Sequence, residues 1–325
     1  MERICVFGAG GVGGYMAAKL ARAGRDVSVI ARGAHLERIR TAGLTIRSPE
    51  SGFSVRLPAS GAIDDFAPFD VVIVTAKAPG IPAIARAIGP HLGDDAAVLF
   101  ATNGIQWFYA EGFAPGGEAL DTRRLDPDGD ISRLVGAHRS FGVVVRSSNV
   151  VVEPGVVSNS GGGSYALGGA LPGGWRRAGE IASLLDVDGA RFTATPEIRR
   201  EMWGKLVRNT AVALLCGLTH ATPGEAFSDP GTRPLARLAM REVSDVAAAH
   251  GFRDLLDLDA ELDVVSRMTA MRPSLVQDLE LGRTVELDAQ VLIVRDFARQ
   301  AGVDTPTISA LAPVLEQKAR LAGCY

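Results

Sequence analysis

The sequence predicts an α/β domain built on a parallel sheet, followed by an all-α domain. Short β-branched runs alternate with helical patterns through the first half of the chain. The run Val71–Val74 is apolar without interruption, which indicates a central strand covered on both faces. Near Thr195-Pro196-Glu197 a threonine cap, a proline at the first helical position and an early acid open a long helix, and helical patterns follow. We therefore place the domains at residues 1–195 and 196–325.

Four strands of the first domain follow from their β-branched or apolar composition. They are predicted at Ile4–Phe7, Val27–Ile30, Val71–Thr75 and Ala97–Phe100. An amphipathic helix from Val12 to Ala23 joins the first two strands and ends at Gly24, the usual position of a C-terminal glycine. Further strands, antiparallel and at the sheet edge, are predicted at Ser140–Val145, Val150–Val157 and Ser164–Leu167.

The second domain reads as helix throughout. Five helices are predicted, at about Glu197–Leu218, Arg233–His250, Ala260–Met271, Val285–Ala301 and Ile308–Leu321. Between the sheet strands, Phe113 to Arg133 is rich in Gly, Pro, Asp and Arg and has no periodicity. We interpret this stretch, part of a longer insertion at 107–135, as a loop or surface excursion, with a lid over a cleft as one alternative.

Composition excludes several classes of protein. The 325 residues are 47% hydrophobic and 22% charged, enough apolar material for a buried core. With 34 basic against 37 acidic residues, the formal net charge of -3 gives no electrostatic footprint for nucleic acid or an anionic membrane. Three widely spaced cysteines fit neither a disulfide framework nor a metal-ligand set. We therefore expect no bound metal. No apolar stretch reaches about 18 residues, and together with the cysteines this leads us to expect a cytoplasmic protein.

A glycine-rich loop follows the first predicted strand. It runs Gly8, Ala9, Gly10, Gly11, Val12, Gly13. Gly8 permits a tight turn, Gly10 lets a pyrophosphate approach the backbone, and Gly13 allows close packing of helix on strand. The N–H groups of the next helix then face the phosphates. Because the loop lies between a strand and a helix, we predict a dinucleotide site; the alternative is a plain strand–helix turn.

The end of the second strand distinguishes the two nicotinamide cofactors. An NAD site usually places Asp or Glu about 20 residues after the glycines, where it binds the ribose 2′-hydroxyl. Here the strand ends in Ala31-Arg32-Gly33, and Glu37 is the next acid. A guanidinium binds a 2′-phosphate, which a carboxylate would repel. Arg32 therefore favours NADP(H), unless it is a solvated loop arginine.

Lysine is rare in this chain, so each lysine is informative. The chain has only Lys19, Lys77, Lys205 and Lys318. Lys77 ends the apolar strand, where open α/β sheets bind ligands. Lys205 lies in a largely apolar helix with Asn209 one turn further on the same face. An ammonium there needs a partner or a function, unless its stem snorkels to the domain seam.

Two more polar groups complete the candidate site. Asn103-Gly104 follows the fourth core strand at the ligand-binding edge, although Asn-Gly is also an ordinary turn signal. Ser274-Leu-Val-Gln-Asp278 precedes a glycine turn and Thr284-Val-Glu286-Leu-Asp288. Glu286 lies in the first turn of a predicted helix, where an acid is favourable in any case.

Together these residues resemble the ketopantoate reductase (2-dehydropantoate 2-reductase) family along nearly the whole chain. The resemblance rests on the glycine loop, the segments Val27–Arg32 and Val74–Lys77, and Asn103-Gly104. It also rests on three later segments: Trp203–Asn209, Ser274–Asp278 and Val285–Asp288. The resemblance implies a Rossmann-type dinucleotide-binding domain, a helical substrate domain and an active site in the cleft between them.

The resemblance also implies roles. Lys205 would be the general acid, Glu286 would lie near the nicotinamide ribose and orient it, and Asn103, Asn209 and Ser274 would bind a 2-oxo acid. The implied cofactor contacts are the six loop residues with Arg32, Lys77, Asn103, Ser147 and Glu286. The implied reaction is reduction by NADPH of a 2-oxo acid to a 2-hydroxy acid, with 2-dehydropantoate, a precursor of pantothenate and coenzyme A, as first candidate.

The sequence departs from the family at two pocket positions. Ala213 and Pro223 stand where the family usually has asparagines. One alternative is therefore the same chemistry on another 2-oxo acid. A second is a non-catalytic NADP(H) sensor, which would not need Lys205. The sequence leaves the oligomeric state open, with a homodimer as one option.

Overall fold

The computed structural model describes residues 2–49 and 52–325, and the chain divides into two compact units. Unit 1 comprises Met1–Ala76, Gly80–Thr102 and Asp128–Ile198. Unit 2 comprises Lys77–Pro79, Asn103–Pro127 and Arg199–Tyr325. Two short segments from the first 195 residues thus belong to the helical unit, and they contain Lys77 and Asn103. The assignment of cofactor to one part and substrate to the other stays a prediction.

Unit 1 is a ten-stranded mixed sheet with helices. Its strands are β1 (Ile4–Phe7), β2 (Val27–Ile30), β3 (Leu44–Arg47), β4 (Gly52–Val55), β5 (Ala59–Ser60), β6 (Phe69–Val74), β7 (Leu92–Phe100), β8 (Ser140–Glu153), β9 (Val156–Gly169) and β10 (Ala190–Ala194). Its helices are α1 (Gly11–Arg22), α2 (Gly33–Ala42), α3 (Ile81–Ile88), α4 (Asp130–Leu134) and α5 (Trp175–Leu185).

The strands run in the order β4-β3-β9-β8-β7-β6-β1-β2-β5, with β10 beside β9. From β5 to β8 every neighbouring pair is parallel. β1 is buried along its whole length and pairs with β2 on one side and β6 on the other, as expected for a central strand of a sheet covered on both faces. This central parallel block confirms the predicted Rossmann-type sheet.

The antiparallel part of the sheet differs from the prediction. β8 and β9 are two 14-residue strands joined by a turn at Pro154-Gly155, inside the single strand expected at Val150–Val157. Proline has no N–H for a ladder and Gly155 has φ +75°, so the chain turns there. The expected edge position is also wrong, since β9 pairs with β8, β3 and β10.

Unit 2 is helical, as predicted. Its helices are α6 (Ile198–Thr219), α7 (Pro223–Ser228), α8 (Arg233–Ala249), α9 (Leu258–Ser266), α10 (Ser274–Glu280), α11 (Ile293–Ala301) and α12 (Pro306–Leu321). A turn of π-helix, Asp288–Leu292, precedes α11. α7 and α10 were not predicted, because six or seven residues are too few to show a period. A capping box between Thr222 and Glu225 was the available signal for α7.

The insertion is divided between the two units: its residues up to Pro127 belong to unit 2, and those from Asp128 onward belong to unit 1. Trp107–Ala110 is a turn of 3₁₀-helix in which Tyr109 is fully buried. The Tyr109 hydroxyl accepts a hydrogen bond from Trp203 Nε1 (2.7 Å) and is 2.9 Å from His250 Nδ1. Further along, the Arg124 guanidinium lies 2.9 Å from Asp288 and 2.5 Å from Asp296. These contacts attach the insertion to helical elements of unit 2, which agrees with a surface excursion and offers no support for the lid interpretation.

We expect Arg124→Met to lower the free energy of unfolding by about 1–2 kcal/mol, because it leaves two carboxylates without their shared cation. Arg123→Met is the matched control. Arg123 forms an ion pair with the neighbouring Asp121, and its side chain is 85% exposed. Denaturant unfolding of both variants measures the difference. Equal losses in the two variants would show that Arg124 does not anchor the insertion.

Three further features concern membrane-spanning helices, metal-binding groups and disulfides. None of the helices in the described residues is both long and apolar enough to cross a membrane. Residues 2–49 and 52–325 also contain no group of three or more His, Cys, Asp or Glu side chains placed to bind a metal. All three cysteines are buried and unpaired.

Candidate active site

The glycine loop connects β1 to α1 and requires glycine at Gly8, Gly11 and Gly13. A Cβ on Gly11 would overlap the Asn149 carbonyl oxygen. Gly8 has φ +109°, a conformation that other residues rarely adopt. A Cβ on Gly13 would overlap the Gly8 carbonyl oxygen and the Thr75 hydroxyl, and would lie 3.1 Å from Val6 Cγ1. The Thr75 hydroxyl also donates to the Gly8 carbonyl (2.5 Å). Gly13 therefore allows α1 to start directly against β1 and β6.

The loop is open at Gly10. A Cβ built on Gly10 would meet no atom within 4 Å. Gly10 is also the N-cap of α1 and provides no side-chain cap, so the first-turn N–H groups of Gly11, Val12 and Gly13 have no intrahelical acceptor. Ala9 is buried, and its N–H bonds to the Ile30 carbonyl (3.2 Å). An uncapped helix N-terminus beside open space fits a pyrophosphate.

Arg32 follows the carboxyl end of β2, just as the glycine loop follows the carboxyl end of the neighbouring strand β1. β1 and β2 are parallel, with Phe7 opposite Ile30. The residue is exposed and forms the N-cap of α2. The nearest acid along the chain, Glu37, is within ion-pair distance of Arg40 (3.6 Å). An exposed guanidinium at this strand end fits a ribose 2′-phosphate.

His35 ties the loop to two other elements of unit 1. Its Nδ1 accepts a hydrogen bond from the Gly155 N–H (3.0 Å), and its Nε2 lies 2.7 Å from the Ala9 carbonyl oxygen. A backbone N–H can only donate, so Nδ1 is unprotonated and Nε2 donates to Ala9. Burial lowers the pKa of His35 from 6.5, while the Ala9 carbonyl opposes that shift. The neutral ring therefore links loop, α2 and the β8–β9 turn.

We expect acid to destabilise the protein through His35. The folded-state pKa of His35 lies below the unfolded one, so well above pH 6.5 both states are neutral and its ionisation does not affect stability. As the pH falls below 6.5, the unfolded state binds the proton first and unfolding becomes easier. The free energy of unfolding should therefore fall more steeply with acid in the wild type than in His35→Gln, so the stability advantage of the wild type over the variant at neutral pH becomes smaller. His138→Gln, which removes an exposed histidine, is the control; parallel profiles for His35→Gln and wild type would contradict the assignment.

Ser147 lies in a bulged part of the β8–β9 hairpin. Its hydroxyl donates to the Gly162 carbonyl (2.9 Å) and accepts from Asn149 Nδ2 (2.7 Å). Asn159, 2% exposed, bonds both Asn149 and the Gly162 backbone. These bonds shape the strand whose Asn149 carbonyl lies directly against Gly11. Contact of Ser147 itself with a cofactor stays a prediction.

Unit 2 gathers five polar side chains, which we term the polar cluster: Lys77, Asn103, Lys205, Asp278 and Glu286. The Lys205 ammonium on α6 donates to Asn103 Oδ1 (2.7 Å). Asn103 Nδ2 in turn donates to Glu286 Oε2 (3.3 Å). The other Glu286 oxygen accepts from the Ala78 N–H (3.1 Å). The structure thus joins three predicted site residues, far apart in sequence, in one hydrogen-bonded chain.

The second lysine of the cluster has its own carboxylate. Lys77 Nζ lies 2.6 Å from Asp278 Oδ1 and donates to the Thr284 carbonyl (2.8 Å). Asp278 was not predicted, although it ends the segment that contains Ser274. Burial raises the pKa of Glu286, and the Ala78 N–H, Asn103 and the charge of Lys77 act in the opposite direction. Two carboxylates therefore lie among two cations and an amide.

Asn209 and Ser274 lie on the helices that contribute to the polar cluster. Asn209 is half-buried on α6, one turn beyond Lys205. Ser274 is exposed at the first position of α10, one turn before Asp278. Neither side chain forms a hydrogen bond within the described part of the chain. Their binding of a substrate stays a prediction.

The arrangement suits the reduction of a carbonyl group. An ammonium can only donate hydrogen bonds, so it stabilises an oxygen that gains negative charge and can protonate it. The amide of Asn103 fixes the position of the Lys205 nitrogen, and the buried Glu286 fixes the amide. The glycine loop of unit 1 supplies the features of a dinucleotide site. Fold and site together define a class, the oxidoreductases that use a nicotinamide dinucleotide.

Comparison with known proteins narrows the class. The family model described as "Ketopantoate reductase PanE/ApbA" matches residues 4–108, and its "C terminal" companion matches residues 197–319. A 2-dehydropantoate 2-reductase of Mesorhizobium japonicum is 34% identical over 99% of both chains. The chain belongs to the ketopantoate reductase family of oxidoreductases, as its motifs predicted.

Solved structures show the same fold. The crystal structure of 2-dehydropantoate 2-reductase from Geobacter metallireducens has a TM-score of 0.84 and 28% identity, covering 97% of this chain and 99% of that one. A D-mandelate dehydrogenase bound to NADH and anilino(oxo)acetate also has a TM-score of 0.84, at 20% identity over 99% and 100% of the two chains. The fold is therefore shared with an enzyme of a different name.

Proposed function

We propose that this protein reduces a 2-oxo acid to a 2-hydroxy acid with NADPH. The main support is the hydrogen-bonded chain in which Lys205 bonds Asn103 (2.7 Å) and Asn103 bonds Glu286 (3.3 Å). We further propose 2-dehydropantoate as the substrate, which places the reaction in the synthesis of pantothenate and coenzyme A. The named relatives in the family support that choice.

Unit 1 would bind the cofactor. The open space at Gly10 and the free N–H groups of α1 receive the pyrophosphate, and Arg32 receives the 2′-phosphate. The exposed guanidinium, with no acid in the place that NAD sites use, supports NADP(H) over NAD(H). Bound NADPH supplies the hydride for the C2 carbonyl of the acid.

Unit 2 would bind and protonate the substrate. Lys205 stabilises the carbonyl oxygen as negative charge develops on it, and then transfers a proton to form the 2-hydroxyl. Asn103 and Glu286 orient the lysine, while Asn209 and Ser274 bind the carboxylate and other polar groups of the acid. The buried, unpaired cysteines support our proposal of a reducing, cytoplasmic compartment.

A second candidate keeps the chemistry and changes the acid. Ala213 is 3% exposed on α6 and Pro223 is the buried first residue of α7. Both stand where the family resemblance implies asparagines, so two hydrogen-bonding groups for a polar side chain are missing. This observation favours a 2-oxo acid with a more apolar side chain.

A panel of 2-oxo acids separates these candidates. We expect kcat/KM with NADPH to be highest for 2-dehydropantoate, by at least about tenfold over apolar branched and aromatic acids, since a lost polar contact costs more than a lost apolar one. The opposite order would select the second candidate. NADPH binding without turnover of any acid would leave only the sensor.

A further inference from the structure

The turn of π-helix at Asp288–Leu292 begins two residues after Glu286. A π-turn inserts one extra residue into a helix, so carbonyl groups are displaced from the regular ladder of hydrogen bonds. Such carbonyls can bond other elements instead. Two successive carbonyls of this turn do so, and both partners belong to elements of the polar cluster.

The first carbonyl holds the loop that contains Asn103. The Ile105 N–H donates to the Ala289 carbonyl oxygen (2.9 Å). Gly104, at φ +85°, lies so close that a Cβ there would overlap the same oxygen. The residue between Asn103 and Ile105 is therefore in direct contact with the π-turn.

The second carbonyl holds the helix that contains Lys205. The Thr210 hydroxyl donates to the Gln290 carbonyl oxygen (2.7 Å), and Thr210 is 0% exposed. Thr210 lies five residues after Lys205 on α6, about 7.5 Å along the helix axis. Because α6 is one continuous helix, this bond fixes the position of the lysine along and around that axis.

We propose that Thr210 is a positioning residue for Lys205, acting through the π-turn. Successive carbonyls of this turn bond the helix that contains Lys205 and the loop that contains Asn103, and Glu286 lies two residues before the turn. The separation of Lys205 Nζ and Asn103 Oδ1, 2.7 Å, depends on both attachments. The proposal rests on the proposed function, in which Lys205 is the general acid.

The kinetic test compares three variants. Thr210→Val keeps the shape of the side chain and removes its donor, so we expect kcat to fall about tenfold to hundredfold, because small displacements of reacting groups cost that much. Km for NADPH should stay within about twofold. Thr210→Ser keeps the hydroxyl and should therefore keep kcat close to that of the wild type. Thr219→Val, on the same helix, removes a hydroxyl that donates to the Leu215 carbonyl and accepts from the Ala221 N–H, and should leave kcat unchanged.

A second readout does not depend on turnover. Acetic anhydride modifies free amines, and mass spectrometry reports the rate at each lysine. Lys205 should react several-fold faster in Thr210→Val than in the wild type, because its bond to Asn103 is loosened, while Thr210→Ser and Thr219→Val match the wild type. Thr210→Ala provides the same test if the valine variant does not fold.

The outcomes separate the two claims. Wild-type kcat and wild-type labelling of Lys205 in a folded Thr210→Val or Thr210→Ala would overturn the positioning role. If Lys205 is labelled as fast in Thr210→Ser as in Thr210→Val, the shape of the side chain and not its hydroxyl holds the helix, and the proposal is also overturned. If the wild type reduces no 2-oxo acid, the proposed function fails, and labelling still decides whether Thr210 positions the lysine.

Discussion

Lys205→Ala should lower kcat for the 2-oxo acid by about 10²- to 10⁴-fold, the usual contribution of a positioned general acid. It removes both the proton and the positive charge that stabilises the carbonyl oxygen. The affinity for NADPH should stay within a few-fold, because the loop that fits the pyrophosphate lies in unit 1 and Lys205 in unit 2. Single-turnover kinetics and a binding titration measure the two quantities separately.

Lys318→Met is the control for this result. The Lys318 ammonium bonds the Gly217 and Leu218 carbonyls at the end of α6 (2.7 and 2.8 Å). Its loss should lower stability and leave kcat nearly unchanged. If kcat and NADPH affinity fall together in Lys205→Ala, or if kcat is retained, the lysine is not the general acid.

Arg32→Glu should reverse the cofactor preference. The variant loses a charge-assisted bond to the 2′-phosphate and adds repulsion, so NADPH affinity should fall by about 30- to 150-fold, roughly 2–3 kcal/mol. NADH should bind as well as before or better, since a carboxylate at this place can bond the ribose 2′-hydroxyl.

Arg38→Glu makes the same charge change on the same helix and is the matched control. Arg38 packs its alkyl chain against the Gly155 turn. Its replacement should leave the ratio of NADPH to NADH affinities within a few-fold of the wild type. An unchanged ratio in Arg32→Glu would remove the evidence for NADP(H).

The sequence predicted those strands and helices whose formation depends on residues close together in the chain. The strands β1 and β2 carried short β-branched runs, and the start of α1 had glycines at fixed offsets, so these elements were read correctly. The long helix α6 begins at Ile198, one residue after its predicted start. Thr195 and Pro196 therefore precede the helix and are not the predicted cap and first helical residue, although the Thr195 hydroxyl accepts from the Glu197 N–H (3.1 Å). The order of β3 and β10 around β9 depends on long-range pairing, which no local pattern encodes.

The same distinction applies to the site. Lys205 was conspicuous in a largely apolar helix and Asn103 followed a core strand, whereas Glu286 had the pattern of an ordinary first-turn acid; the resemblance gave all three their roles. Their mutual distances, the ion pair of Lys77 with Asp278 and the bond of Thr210 to Gln290 arise only when separate segments fold together. His35 was missed because a single histidine early in a helix carries no sequence signal for two backbone partners.

The most direct test of the account follows the hydride. The protein is incubated with 2-dehydropantoate and NADPH that carries deuterium at C4 of the nicotinamide, on the transferred face. We predict pantoate with one deuterium at C2, formed by the wild type and not by Lys205→Ala at the same enzyme concentration and time. Oxidation of the cofactor without deuterium in any 2-hydroxy acid of the panel, or no oxidation at all, would contradict a reductase in which Lys205 protonates the substrate.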